Sequence, residues 1–140
     1  MMLKDVMTGT IQVIESGAPI RQAAKLMRDL DVGMLPVRDN EHLVGTVTDR
    51  DITVRATAES RDPETTPVSD IMTRGIISGY EDDETSSAID AMEKNQVRRL
   101  VVLDGNDACV GIVSIGDIAL RGNEPEMAEE LLEEVSKPAA

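Results

Sequence analysis

The chain repeats itself. Residues 5–55 align with residues 70–121 at an offset of 65 that becomes 66 after one inserted residue. Sixteen of the 51 aligned positions are identical, where ordinary composition gives about 3 by chance. The identities include Asp5/Asp70, Met7/Met72, Thr8/Thr73, Ala23/Ala88 and Leu35/Leu100 before the insertion, then Gly45/Gly111, Asp51/Asp117 and Arg55/Arg121 after it. A duplication this regular restricts the chain to two copies of one supersecondary unit. Roughly 50 residues with one helix face is marginal alone, and two copies packed together bury a common core.

Each copy reads as strand, helix, strand, strand, helix. After an opening Asp-hydrophobic-Met-Thr comes a short extended segment, Ile11–Ile14 or Ile76–Ser78. Next, apolar residues recur at helical spacing, Ile20, Ala23, Ala24, Met27 and then Thr85, Ala88, Ile89, Met92, with Thr85 the polar exception. Pro19 suits the first turn of the earlier helix, and the run Glu81–Glu84 complements the N-terminal dipole of the later one. Two strands follow, Met34–Val37 and Leu43–Val47, then Arg99–Leu103 and Cys109–Val113, joined by the turns Asp39–His42 and Asp104–Asp107. A last helix starts near Thr48 or Ser114. The expected organisation is a first repeat over 1–58, a linker over 59–69, a second repeat over 70–121 and an acidic C-terminal helix or tail over 122–140.

The core has to be aliphatic, because the chain has no Phe or Trp and one Tyr among 140 residues. Such cores are helix-on-sheet layers, so the fold class is α/β (α+β). A single cysteine, Cys109, excludes an intramolecular disulfide and a thiolate metal cage, and its apolar strand suits a small buried hydrophobe. The net charge of −13 argues against a nucleic-acid partner. No apolar run is long enough for a membrane span and the N-terminus lacks the pattern of a secretory signal, so a cytoplasmic location is expected.

The opening Asp-Val-Met-Thr, the helix ending Ala-x-x-x-Met, the strand Leu-Pro-Val, Gly45–Ile52 and its second copy Gly111–Ile118 together resemble the cystathionine-β-synthase-type (CBS) domain, over about residues 3–121. The resemblance implies a tandem CBS pair, or Bateman module, with pseudo-two-fold symmetry and two related clefts between its repeats. It implies adenine nucleotides (AMP, ADP or ATP) as ligands and a homodimer as the assembly.

Four groups of residues are candidates for contact with such a ligand. Thr48/Asp51 and Ser114/Asp117 form Thr/Ser-x-x-Asp motifs in which an ionised Asp offers acceptors to a ribose diol and a hydroxyl three residues earlier lies at a helix start. The same spacing also makes a capping box, and the two roles can coexist. Arg98 and Arg99 break the symmetry of the repeats, since the first copy has Gly33 and Met34 there; guanidinium groups suit phosphate, and equally they suit a surface facing the acidic run. By the resemblance, Gln12, Val13, Val32 and Leu35 on one side and Ile77, Ser78, Val97 and Leu100 on the other wall an adenine, though each also fits the core.

No nucleophile–base pair or phosphate-binding glycine loop is readable, so no catalytic residues, no metal ligands and no required cofactor are expected. The leading function is a nucleotide-responsive regulatory module acting in trans on a partner whose identity the sequence leaves unknown. The alternatives are a dimeric interaction module with no physiological nucleotide, and a module for another adenosyl ligand or for a divalent cation held by the acidic run.

Overall fold

A computed structural model of the chain describes residues 1–9, 11–121 and 133. The expected acidic helix over 122–140 lies outside the described residues apart from Glu133. The chain divides into two compact units, residues 11–76 and residues 1–10 together with the chain from Ile77 onward.

In the unit of residues 11–76, strand β1 (Ile14–Glu15) pairs in parallel with β2 (Met34–Asp39). β2 pairs antiparallel with β3 (His42–Thr48), and β3 with β4 (Thr73–Arg74). Helix α2 (Ile20–Leu30), preceded in the chain by α1 (Leu3–Val6), buries Ile20, Ala23 and Met27. It ends at Asp31 in the left-handed conformation, φ 55°. A final helix begins as α3 (Asp49–Asp51) and continues with π geometry over Ile52–Thr57. Ile14, Leu35, Val37 and Val47 of the sheet share one core with the α2 residues and Ala56.

The other unit repeats this plan. β5 (Ser78–Tyr80) runs parallel to β6 (Arg99–Leu103), and β6 antiparallel to β7 (Cys109–Ser114). Helix α4 (Thr85–Asn95) ends at Gln96, the counterpart of Asp31, also at φ 55°. Helix α5 (Ile115–Arg121) closes the unit. The registers correspond: Ile14 faces Val37 as Gly79 faces Val102, and Met34 faces Thr48 as Arg99 faces Ser114.

The helices and central strands lie where the periodicity puts them, while the short first strands sit two or three residues later than expected and His42 opens β3 instead of closing a turn. The larger difference concerns what packs with what. The opening segment of each sequence copy is built into the unit that holds the sheet of the other copy. Leu3 and Val6 are 0% exposed in the core with Leu100, Val102 and Val113, while their counterparts Val68 (0%) and Ile71 (1%) lie in the core with Leu35 and Val47. Thr8 bridges Ile112 as Thr73 pairs with Thr46. Sequence repeats and compact units therefore divide the chain at different places.

Residues 59–69 are part of this construction. Pro19 precedes α2 without a side-chain cap, so the first helical N–H groups need acceptors from elsewhere. The carbonyls of Thr66 and Pro63 supply them, at 3.0 Å from the amides of Ile20 and Arg21 respectively.

Candidate functional site

Both Thr/Ser-x-x-Asp motifs close on themselves at the end of a hairpin strand. Thr48 is extended (φ −116°, ψ 162°), and its Oγ1 accepts from the Asp51 amide at 3.0 Å while Asp51 Oδ2 accepts from the Thr48 amide at 3.0 Å. Ser114 and Asp117 make the same reciprocal pair, both at 3.0 Å. The capping box is thus real in both copies.

The two carboxylates differ in what else they meet. Asp51 is 8% exposed, the Thr73 hydroxyl donates toward it at 3.3 Å (Oδ1) and 3.4 Å (Oδ2), and Arg55 Nε lies 3.9 Å from Oδ1. Asp117 is half-buried, and beyond the Ser114 cap its carboxylate has no partner among the described residues. An open acceptor beside a solvent-accessible cap is what a ribose hydroxyl needs.

The basic pair lies at that second cap. Arg99 is the cross-strand partner of Ser114, and the Arg98 carbonyl accepts from the Ile115 amide at 3.0 Å. Hairpin β6–β7 therefore brings Arg98, Arg99, Ser114 and Asp117 together from positions up to 19 residues apart in sequence. Both arginines are exposed. In the other unit the equivalent backbone bond runs from Asp49 to the Gly33 carbonyl at 3.1 Å, but Met34 is 6% exposed in place of an arginine.

The wall candidates divide. Val13 is half-buried, and Val32, Ile77 and Val97 are half-buried and packed at the margins of the two cores, so each keeps some accessible apolar surface. Gln12 and Ser78 are exposed. Leu35 (0%) and Leu100 (1%) are spent on sheet–helix packing and offer no wall as the units stand.

Three further features escaped the reading of the sequence. Arg55 Nη1 donates to the carbonyls of Ile71 (3.3 Å) and Met72 (3.0 Å), and Arg121 Nη1 donates to those of Val6 and Met7 (both 3.4 Å), so the duplicated arginine clamps the exchanged opening segment in each unit. Gly45 and Gly111 admit that segment against the sheet: a Cβ at Gly45 would fall on the Thr73 carbonyl, and one at Gly111 would lie 2.5 Å from Met7 Sδ. The acidic run also serves it, as Lys4 Nζ meets Asp82 at 2.8 Å, which raises the Lys4 pKa, and the Leu3 amide donates to the Asp83 carbonyl at 2.9 Å. Among the described residues no three His, Cys, Asp or Glu side chains converge as a metal site. Burial pushes the Cys109 thiol pKa up, consistent with its role as a small hydrophobe.

The sequence profile of the CBS domain matches twice, over residues 3–56 and 68–122, one match for each copy. The chain belongs to the CBS domain family. It is 38% identical over 134 residues to the CBS domain-containing protein YhcV of Bacillus subtilis, covering 96% of this chain and 94% of that one. Among solved structures, the CBS domain pair of protein MJ0100, in complex with 5′-methylthioadenosine and S-adenosyl-L-methionine, superposes with a TM-score of 0.75 at 29% identity, covering 89% of this chain and 98% of that one. A hexameric CBS-CP12 protein from bloom-forming cyanobacteria gives a TM-score of 0.80 at 25% identity, with coverage of 90% and 73%. The family is one of regulatory modules, and no catalytic family is indicated. Among the described residues no helix is long and apolar enough to cross a membrane.

Proposed function

We propose that this CBS pair is a regulatory module that binds an adenine nucleotide (AMP, ADP or ATP) and transmits its occupancy to a partner protein. The observation that carries this reading is the backbone placement of Arg98 and Arg99 next to the Ser114/Asp117 cap. A carboxylate and two guanidinium groups on one short hairpin suit a ligand with a neutral diol and an anionic end. The MJ0100 pair supports an adenosyl ligand in general. A nucleotide is favoured over S-adenosylmethionine because a sulfonium cation next to two arginines is repelled, whereas phosphate is attracted.

Titration calorimetry with AMP, ADP, ATP and S-adenosylmethionine tests this. Heat is expected for the nucleotides, and Asp51→Ala and Asp117→Ala should each weaken one site. Losing a charge-assisted bond to ribose costs about 1.5–3 kcal/mol, roughly ten- to a hundredfold in affinity. No heat and no thermal shift at millimolar nucleotide would refute the proposal.

Self-association accompanies this reading. Val54 (48% exposed) and Leu120 (87% exposed) are large apolar residues at equivalent positions of the two copies. Paired exposed apolar side chains on the closing helices suit a second copy of the chain. Light scattering is expected to return a homodimer, and Val54→Glu with Leu120→Glu to shift it toward monomer. A wild-type mass near 15.2 kDa at micromolar concentration would contradict this.

A further inference from the structure

We infer that Thr73, Asp51 and Arg55 form a latch that couples ligand engagement at Asp51 to strand β4, and that the Asp117 site has no such latch. The inference rests on the nucleotide reading above for its ligand, and on the hydrogen bonding of the molecule alone for the latch. Both oxygens of the Asp51 carboxylate face donors of the protein: the Thr48 amide and the Thr73 hydroxyl at Oδ2, the same hydroxyl and Arg55 Nε near Oδ1. With Asp51 only 8% exposed, a ribose diol that approaches these oxygens competes with the donors already on them. The Thr48 amide is held by the cap at 3.0 Å. Thr73, an exposed residue at 3.3 and 3.4 Å, makes the longer of the two hydrogen bonds to the carboxylate and is the one that yields.

What Thr73 releases is defined. It belongs to β4, a strand of two residues held to β3 by the Gly45/Arg74 and Thr46/Thr73 pairs, and its neighbours Ile71 and Met72 hang on Arg55 through their carbonyls. Arg55 in turn lies against Asp51. The carboxylate is thus the shared anchor of both attachments, one through a hydroxyl and one through a guanidinium. In the other copy Arg121 holds the Val6 and Met7 carbonyls, but no bond joins Asp117 to Thr8 or to Arg121 among the described residues. Occupancy of Asp117 therefore leaves its opening segment unchanged, and only Asp51 reports.

Hydrogen exchange and calorimetry on the full chain test this. In ligand-free protein, Asp51→Asn is expected to speed amide exchange at Met72 and Gly75, whose amides donate to Val68 and Val44, while Asp117→Asn leaves exchange at Met7 and Thr8 unchanged. In wild type, saturating AMP should speed exchange at Gly75. Thr73→Val, which removes the competing hydroxyl at nearly constant volume, should tighten the Asp51 site about three- to tenfold and abolish that ligand response; Thr73→Ser should restore it. Unchanged exchange at Gly75 in Asp51→Asn, or weaker nucleotide binding by Thr73→Val, would overturn the latch. A wild-type chain that binds no nucleotide would instead overturn the nucleotide reading, and the ligand-free comparison of Asp51→Asn with Asp117→Asn would still decide whether the latch exists.

Discussion

Replacing Gly45 by valine is expected to cost on the order of 3 kcal/mol or more, a large share of the 5–15 kcal/mol typical of a folded domain. The position has no space for a side chain, since a Cβ there would meet the Thr73 carbonyl oxygen, the Thr73 carbonyl carbon at 3.1 Å and Arg74 Cα at 3.2 Å. All three are backbone atoms, so relief requires β4 to move away from β3. That movement gives up the Gly45/Arg74 and Thr46/Thr73 pairing and draws Ile71 and Val68 out of a core in which they are at most 1% exposed. Gly111 offers the informative contrast. Its nearest neighbour is the flexible Met7 side chain, with the Thr8 carbonyl at 3.0 Å. Gly111→Ala should therefore be tolerated better than Gly45→Ala, by about 1 kcal/mol. Urea unfolding followed by circular dichroism measures both, and equal midpoints for the two alanine variants would show that backbone and side-chain obstruction do not differ here.

The same glycines mark where the sequence stops being legible. Helices α2 and α4 and strands β2, β3, β6 and β7 follow from apolar periodicity, because burial of one face is a local demand that each segment carries in its own residues. The exchange of opening segments is not local. Leu3 and Val6 would satisfy an apolar groove on either sheet as well as Val68 and Ile71 do, and an alignment of two copies states which residues correspond, not which ones touch. Signals did exist: a glycine inside an apolar strand suggests close approach of another backbone, and an arginine kept at the same position of both closing helices suggests an acceptor in common. The candidate site divides along the same line. The caps at Thr48 and Ser114 were readable from spacing, and Arg99 beside Ser114 follows once the hairpin register is known. Leu35 and Leu100 could not be sorted into core or wall, since both environments select the same side chain. The unequal surroundings of Asp51 and Asp117 depend on Thr73, a residue whose position only the exchange explains.

The remaining large effect is expected from Arg98→Ala with Arg99→Ala. If these side chains serve phosphate at the Ser114/Asp117 cap, the double variant should lose affinity in proportion to the charge of the ligand: little for adenosine, more for AMP and most for ATP. Each charge-assisted contact is worth about 1.5–3 kcal/mol, so ATP should weaken by roughly a hundredfold or more when both are removed. The fold should barely respond, because both residues are exposed and surface ion pairs contribute at most about 1 kcal/mol. Salt supplies an independent check. At 0.1 M ionic strength the screening length is about 10 Å, so raising salt should weaken ATP binding by wild type and leave the double variant nearly insensitive. Had the arginines served only to answer the run Glu81–Glu84, their loss would not discriminate among ligands. Titration of both proteins with adenosine, AMP and ATP at two ionic strengths separates the two roles, and equal losses for all three ligands would move the phosphate site away from Arg98 and Arg99.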